Sequence, residues 1–332
     1  MLAIAVDKPF DNDDWLYEIK WDGYRAVAFL DGKSLRLVSR NQNDLTKAYP
    51  ELQEILGQIN ARTAVLDGEI VALDDQGRPS FSLMQQRTGV GEGGHRIRRT
   101  RDDIPIAYYV FDLLYCDGYD LMQADLEQRK QLLSSIVRSG DLLRYSDHWA
   151  GTGTALFDAA AQCGLEGIIA KRRGSCYLQK RSSEWLKIKI TKRQECVIGG
   201  YTEPRGAREN FGSIVLGLYD DKGRLIPVGQ AGSGFNEQNH ADMWERLQGL
   251  ETNHSPFVGK VESDRRVHYV KPKLVAEIRF TEWTHEGQSG GVKMRAPVFQ
   301  GLRFDKSPSE CKFERVASAE TEVRKAEGGE AS

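Results

Sequence analysis

Residues 15–30, WLYEIKWDGYRAVAFL, alternate between apolar and polar positions and are rich in aromatic and branched side chains, the period of a half-buried strand. Asp22-Gly23 interrupts the run and predicts a turn between two strands. Residues 35–39 and 64–73 also read as strands, the second broken at Asp67-Gly68, and 106–114 is an apolar run of strand length. Helical spacing appears at 126–137 and 154–163, and Pro50 marks the first turn of a short helix over 49–59. Strands dominate and do not alternate regularly with helices, so the pattern is α+β rather than a doubly wound sheet.

The texture changes after Lys189. Residues 195–201, 213–219, 225–230, 268–270 and 274–280 are short strands separated by Gly, Pro and Asp turns, with one helix over 236–247. That set predicts a small Greek-key barrel such as an OB-fold. The expected domains are 1–190 and 191–306, followed by a polar, disordered tail over 307–332.

Composition adds limits. A chain of 332 residues suits two domains, and 40% hydrophobic with 28% charged residues is globular. No apolar run approaches the roughly 18 residues that span a bilayer. The mixed, acidic start lacks the features of a signal peptide, so a cytoplasmic protein is expected. Five scattered cysteines without a CxxC pair support neither a zinc ribbon nor a disulfide framework. Net charge is only −2, but its distribution is uneven. Nine Lys or Arg face one acid between 168 and 194, and Arg87, Arg96, Arg98, Arg99 and Arg101 form a second basic stretch. Either run alone is a solvated face; with the motifs that follow it becomes a candidate nucleic-acid surface.

Five ordered elements carry the chemistry: Lys20-Trp21-Asp22-Gly23-Tyr24-Arg25, Leu66-Asp67-Gly68-Glu69-Ile70, Phe111-Asp112-Leu113-Leu114, Glu166-Gly167-Ile168-Ile169-Ala170-Lys171 and Trp185-Leu186-Lys187-Ile188-Lys189. Singly, each is a turn or a buried strand. Together they supply a lysine nucleophile, which must be deprotonated to attack a phosphate. Arg25, Lys187 and Lys189 are the cations expected to lower its pKa and to neutralise phosphate charge. Glu69 and Glu166 sit beside glycine turns, where carboxylates suit Mg²⁺ or Mn²⁺, and Phe111 offers a flat face to a base.

This ordered set resembles the covalent nucleotidyltransferase superfamily of DNA ligases, RNA ligases and capping enzymes. The resemblance implies a nucleotidyltransferase (ATP-grasp-like) adenylation domain, with ATP as co-substrate and Lys20 as the residue that carries AMP. It puts Glu18 and Ile19 beside adenine, Arg25 and Arg40 near ribose and phosphates, and Glu69 on the ribose. Phe111 would stack on the base, and Lys187 and Lys189 would contact the α-phosphate. Glu166, Glu69 and Asp67 are the metal candidates. The segment from Arg295 to Lys306, which ends Arg303-Phe304-Asp305-Lys306, looks like the closing motif of ATP-dependent DNA ligases, and gives Arg295, Arg303 and Lys306 the pyrophosphate.

Tyr17-Glu18-Ile19-Lys20-Trp21-Asp22-Gly23-Tyr24-Arg25, Phe111-Asp112-Leu113-Leu114-Tyr115 and Ile278-Arg279-Phe280-Thr281-Glu282-Trp283-Thr284 are similar to the ligase module of bacterial DNA ligase D. That likeness implies sealing of 5′-phosphate/3′-hydroxyl breaks in double-stranded DNA, a role in break repair by end joining, Ku as a partner, a monomer, and no membrane. The alternatives are an RNA ligase or capping-type nucleotidyltransferase, and a non-catalytic OB-fold nucleic-acid-binding protein.

Overall fold

Asp22-Gly23 joins two strands that lie in different sheets rather than in one hairpin. In the computed structural model, which describes residues 1–88, 104–205, 210–286, 291–314 and 316–328, the chain divides into two units. One comprises Met1–Ile190 with Arg315–Ser332, the other Thr191–Glu314.

In the first unit, strand β1 (Leu2–Ala5) is an edge strand parallel to a much later one, and β2 (Trp15–Ile19) runs into the turn. The chain leaves the turn as β3 (Tyr24–Asp31), which pairs with β4 (Ser34–Ser39) and β5 (Thr63–Ala72). Glycine is required at the crossing: a Cβ on Gly23 would stand 2.1 Å from the Ile70 carbonyl oxygen. Alternation along β3 buries Tyr24, Ala26, Ala28 and Leu30 in the main core and turns Arg25 to the other face. The short helix expected over 49–59 is a 3-10 helix, Pro50–Gln58, whose Leu52 and Ile55 close that core. The strand at Asp67-Gly68 is not broken; its pairing register with β6 (Ile106–Cys116) slips there instead.

Helix α1 (Phe81–Thr88) follows β5, and the short strand β7 (Tyr119–Asp120) follows β6. Helix α2 (Leu126–Ile136) packs on β6, where Arg129 and Asp112 form an ion pair that is wholly buried at both ends (2.7 Å). The chain then runs through β8 (Leu143–Tyr145), which pairs with β6, to β9 (His148–Ala150), which pairs with β2. Helix α3 (Gly153–Gln162) covers the outer face of β2 and β10 (Gly167–Arg172). With β11 (Arg181–Lys189), the first sheet has the order β1-β11-β10-β2-β9.

The second unit orders its strands β14 (Leu225–Ala231), β13 (Ile214–Tyr219), β12 (Arg193–Thr202), β16 (Val267–Arg279) and β15 (Glu251–Thr252), with β19 (Val298–Leu302) also on β16. The two strands expected at 268–270 and 274–280 are this one long strand. Its register against β12 jumps from Tyr269 to Leu274, and Pro272, which has no N–H to give, lies in the interruption. Helix α4 (Glu237–Gln248) starts where expected, because Asn236 and Asn239 form a reciprocal cap. A hairpin of β17 (Glu282–Glu286) and β18 (Gly291–Arg295) was not expected.

The expected disordered tail is corrected. Cys311 is buried in the second unit's core, and helix α5 (Ala319–Ala326) packs on β11 of the first unit. Val6 bridges Ala317, and the Asp7 carboxylate accepts the Ala319 N–H (2.9 Å). Ala319, Val323 and Ala326 have helical spacing, but two alanines and a valine among charges make a weak apolar signal.

Removing one partner of the Arg129–Asp112 pair strands a buried charge. Asp112→Ala is expected to cost about 3–5 kcal/mol of first-unit stability in urea denaturation; an unchanged midpoint would contradict this.

Candidate active site

Lys20 sits one residue past the end of β2, and its backbone N–H donates to the Gly167 carbonyl on β10 (2.9 Å). Gly167 has φ +157°, and a Cβ there would lie 2.1 Å from the Ile188 carbonyl oxygen, so glycine alone lets β10 begin against β11. These contacts bring the Lys20 amine onto the Glu166 carboxylate, with which it is ion-paired. Across the sheet Glu18, Ile169 and Lys187 are direct neighbours, and Gly167 faces Lys189. Alternation puts Glu18, Ile169, Lys187 and Lys189 on one face, while Tyr17, Ile168 and Ile188 enter the core on the other.

The amine does not behave as the sequence suggested. Burial disfavours the ammonium, and Lys189 works in the same direction, but Glu166 and Asp22 outweigh both and raise the Lys20 pKa above the ordinary 10.5. At neutral pH Lys20 is therefore an ammonium held by Glu166. The expectation that neighbouring cations depress its pKa is corrected: the carboxylate is in direct contact.

The facing sheet contributes Arg25 on β3, opposite Glu69 on β5. Arg25 Nε donates to the Asp67 carboxylate (2.9 Å), whose other oxygen accepts the Tyr177 hydroxyl (2.7 Å). Burial pushes the Asp67 pKa up, yet Arg25 and Tyr177 hold it below the ordinary value. Asp67 was a metal candidate. Both of its oxygens are instead engaged by Arg25 and Tyr177 at zero exposure, so that assignment is withdrawn. Among the described residues no group of three or more His, Cys, Asp or Glu could hold a metal ion.

The two faces meet around Phe111. Lys171 Nζ lies 4.5 Å from the Phe111 ring centre and 4.3 Å from that of Trp185, and the Arg25 guanidinium is 5.5 Å from Phe111. Lys171, Trp185 and Tyr177 were not singled out from the sequence, although alternation from Lys187 back along β11 reaches Trp185. Glu18 is buried and ion-paired with Lys171 (2.9 Å) and with Lys130 of α2 (3.0 Å). Beside the loop, Trp21 stacks on Tyr109 with ring centres 3.8 Å apart. An open cavity of about 490 Å³ there is lined by Ile19, Trp21, Tyr109, Arg144, Tyr145 and Trp149, among others.

Arg40 is exposed in the turn after β4. Arg295, Arg303 and Lys306 belong to the second unit. There Arg295 pairs with Glu282 (2.6 Å) and Lys306 with Glu195 (3.2 Å). Arg303 is held between Glu277 and Asp305, both at 2.7 Å. The basic stretch from 168 is only partly a solvated face, because Lys171 is buried, Arg172 pairs with Glu184 and Arg173 with Glu127. Arg87 is buried and ion-paired with Glu51, whereas Arg96, Arg98, Arg99 and Arg101 lie outside the described residues.

Comparison with known proteins supplies the context. Residues 1–189 match the family model "ATP dependent DNA ligase domain", and 207–306 match "ATP dependent DNA ligase C terminal region". The chain is 38% identical over 323 residues to the multifunctional non-homologous end joining protein LigD of Pseudomonas aeruginosa, covering 95% of this chain and 36% of that protein. Identity to the Mycobacterium tuberculosis LigD is 39% over 300 residues, 89% of this chain and 37% of that protein. The chain thus spans little more than a third of these relatives. A solved structure of mycobacterial DNA ligase D complexed with ATP and MES is 34% identical, with a TM-score of 0.64 over 93% of this chain and 97% of that one.

The raised pKa of Lys20 has a direct test. The ion pair is complete below pH 10.5 and is lost only as pH rises through the higher folded-state value. Glu166→Gln leaves burial and Lys189 in control, so the amine should titrate at lower pH. The pH profile of Lys20 modification by an amine-reactive reagent, read by mass spectrometry, should move down; an unmoved profile would show that Glu166 does not set it.

Proposed function

The chain belongs to the ATP-dependent DNA ligase family, and from that premise we propose that it seals 5′-phosphate/3′-hydroxyl breaks in duplex DNA through AMP carried on Lys20. The observation that carries this reading is the Lys20 amine, clasped by Glu166 on a face shared with Lys187 and Lys189, in the same cleft as Arg25, Glu69 and Phe111. In the first step the Lys20 ammonium gives up a proton, for which the Glu166 oxygen is the nearest acceptor. The neutral amine then attacks the α-phosphorus of ATP: the N–P bond forms, the bond to pyrophosphate breaks, pyrophosphate leaves, and the second proton passes from the nitrogen to solvent. AMP then passes to the 5′-phosphate of the break, and the 3′-hydroxyl displaces AMP to complete the phosphodiester.

Lys187 and Lys189 neutralise the α-phosphate, Arg25 and Glu69 orient the ribose, and Phe111 supports the base. Glu166 and Glu69 would hold Mg²⁺ or Mn²⁺. These ions take one or two carboxylates and complete their shell with phosphate oxygens, which fits a site without a three-residue cluster. Such a cation supplies further charge neutralisation on the phosphates. Arg295, Arg303 and Lys306 act on pyrophosphate; Arg303 would have to exchange Glu277 and Asp305 for it.

Incubation with labelled ATP and Mg²⁺ or Mn²⁺ should give acid-stable label that is absent from Lys20→Ala, and the labelled chain should seal a nicked duplex. Label from GTP instead would point to a capping-type enzyme, and none from either nucleotide would leave a non-catalytic binding protein.

The relatives named for non-homologous end joining support a bacterial role in double-strand-break repair; a cytoplasmic location and Ku as partner belong to the same proposal. Phosphate contacts would dominate DNA affinity, so sealing should fall steeply, by roughly tenfold or more, between low and moderate salt. Added Ku should stimulate joining of linear ends. A flat salt response, or no effect of Ku, would remove the corresponding element.

A further inference from the structure

On the nucleotide face, Glu18 is met by more positive charge than stability requires. Its Oε1 is met by Lys130 Nζ at 3.0 Å and by Lys171 Nζ at 2.9 Å, and all three side chains are at most 2% exposed. A single cation would balance the carboxylate; the second leaves a buried excess charge whose desolvation is unfavourable. Burial lowers the Lys130 pKa to about 8 even with Glu18 beside it, so the arrangement is maintained against a real cost.

The two lysines occupy different places. Lys171 is in the cleft itself, over Phe111 and Trp185. Lys130 comes from α2 and reaches Glu18 from behind. Its amine also donates to the Ser146 carbonyl (2.7 Å) and lies 4.4 Å from the Tyr145 ring centre. The Ser146 hydroxyl in turn donates to Glu18 Oε2 (3.3 Å) and accepts the Trp21 indole N–H (3.0 Å). Through Glu18 and Ser146, Lys130 therefore anchors the residue two before Lys20 and the residue one after it.

We propose that Lys130 is a positioning residue that sets the choice of nucleotide base, by pinning Glu18 so that it accepts the amino group of adenine and cannot follow the donors of guanine. This rests on the proposed ATP site. The chemistry turns on geometry rather than charge alone. An ionised carboxylate is acceptor-only. It can take the 6-amino hydrogen of adenine, but a mobile one can equally swing to the N1–H and 2-amino group of guanine. With Oε1 buried and ion-paired to two lysines, and Oε2 touched by one serine hydroxyl, Oε2 is the oxygen left to accept, in a fixed place. Guanine would present its O6 acceptor to that oxygen, and two acceptors facing each other repel. Neither Lys130 nor Ser146 has to touch the nucleotide for this to hold.

The experiment compares formation of lysyl-nucleotide from labelled ATP and GTP, over a range of concentrations, in the full chain. The wild-type chain should strongly prefer ATP. Lys130→Met should lower the ATP-to-GTP ratio by about tenfold or more, chiefly through weaker half-saturation by ATP, and Lys130→Arg should restore most of it. Ser146→Ala, which removes only a hydroxyl, should shift the ratio in the same direction and keeps the test open should Lys130→Met not fold. A folded Lys130→Met that is slower with both nucleotides at the wild-type ratio would overturn the proposal and leave Lys130 as scaffold. An unchanged ratio in Ser146→Ala would do the same. If the wild-type chain takes no label, or takes it equally from both nucleotides, the proposed ATP site fails first and takes this inference with it.

Discussion

The first unit depends on one close approach. Where the chain turns at Asp22-Gly23 it passes so near the Ile70 carbonyl that no side chain fits. That contact lets a strand ending in one sheet continue as the first residues of a strand in another. It also separates Lys20 from Arg25: the lysine finishes a strand paired to β10, and the arginine begins a strand paired to β5. A hairpin at the same turn would have kept both residues in one sheet. The cleft exists because the chain changes sheets between Lys20 and Arg25.

Charge, more than apolar packing, then shapes the walls. Arg25, Asp67 and Tyr177 form one buried group; Glu18, Lys130 and Lys171 form another; Arg129 and Asp112 form a third just behind Phe111. Each group ties side chains from segments far apart in sequence. Buried pairs are weak sources of net stability, because desolvation offsets attraction, but they penalise misplacement heavily. A cleft held this way keeps its geometry narrowly defined while adding little to the free energy of folding.

Part of this cluster was legible in the sequence, because the ordered motifs named Lys20, Glu166, Lys187 and Lys189 together; that Lys187 and Lys189 share a face follows from the register of the strands. What escaped were contacts that have no local signature. Nothing near Lys130 marks it as a partner of Glu18, which lies 112 positions earlier and meets it only after α2 packs on β6. The state of Lys20 was read with the wrong sign for a related reason. Arg25, Lys187 and Lys189 were counted as its neighbours, but Glu166, 146 positions away, was assigned to a metal rather than to the lysine that it touches. Asp67 was a metal candidate through the family resemblance, although an acid before glycine also suits a turn; here it lies within a continuous strand. In the fold, the misread strand at 268–280 and the α5 helix share a cause: a proline within a bulge and small residues in a helix both weaken periodic signals.

The return of the chain to the first unit gives the second one an unusual connectivity. After Glu314 the chain re-joins the sheet it left at Ile190, so the barrel is spliced into the first unit rather than appended to it. A body spliced in at both ends is tethered like a buckle on two straps. The far link holds only as firmly as α5 grips β11. The Val6–Ala317 bridge, the Asp7 cap and the Lys8–Glu320 ion pair (2.8 Å) are therefore also a clasp, which fastens the returning segment to the first unit.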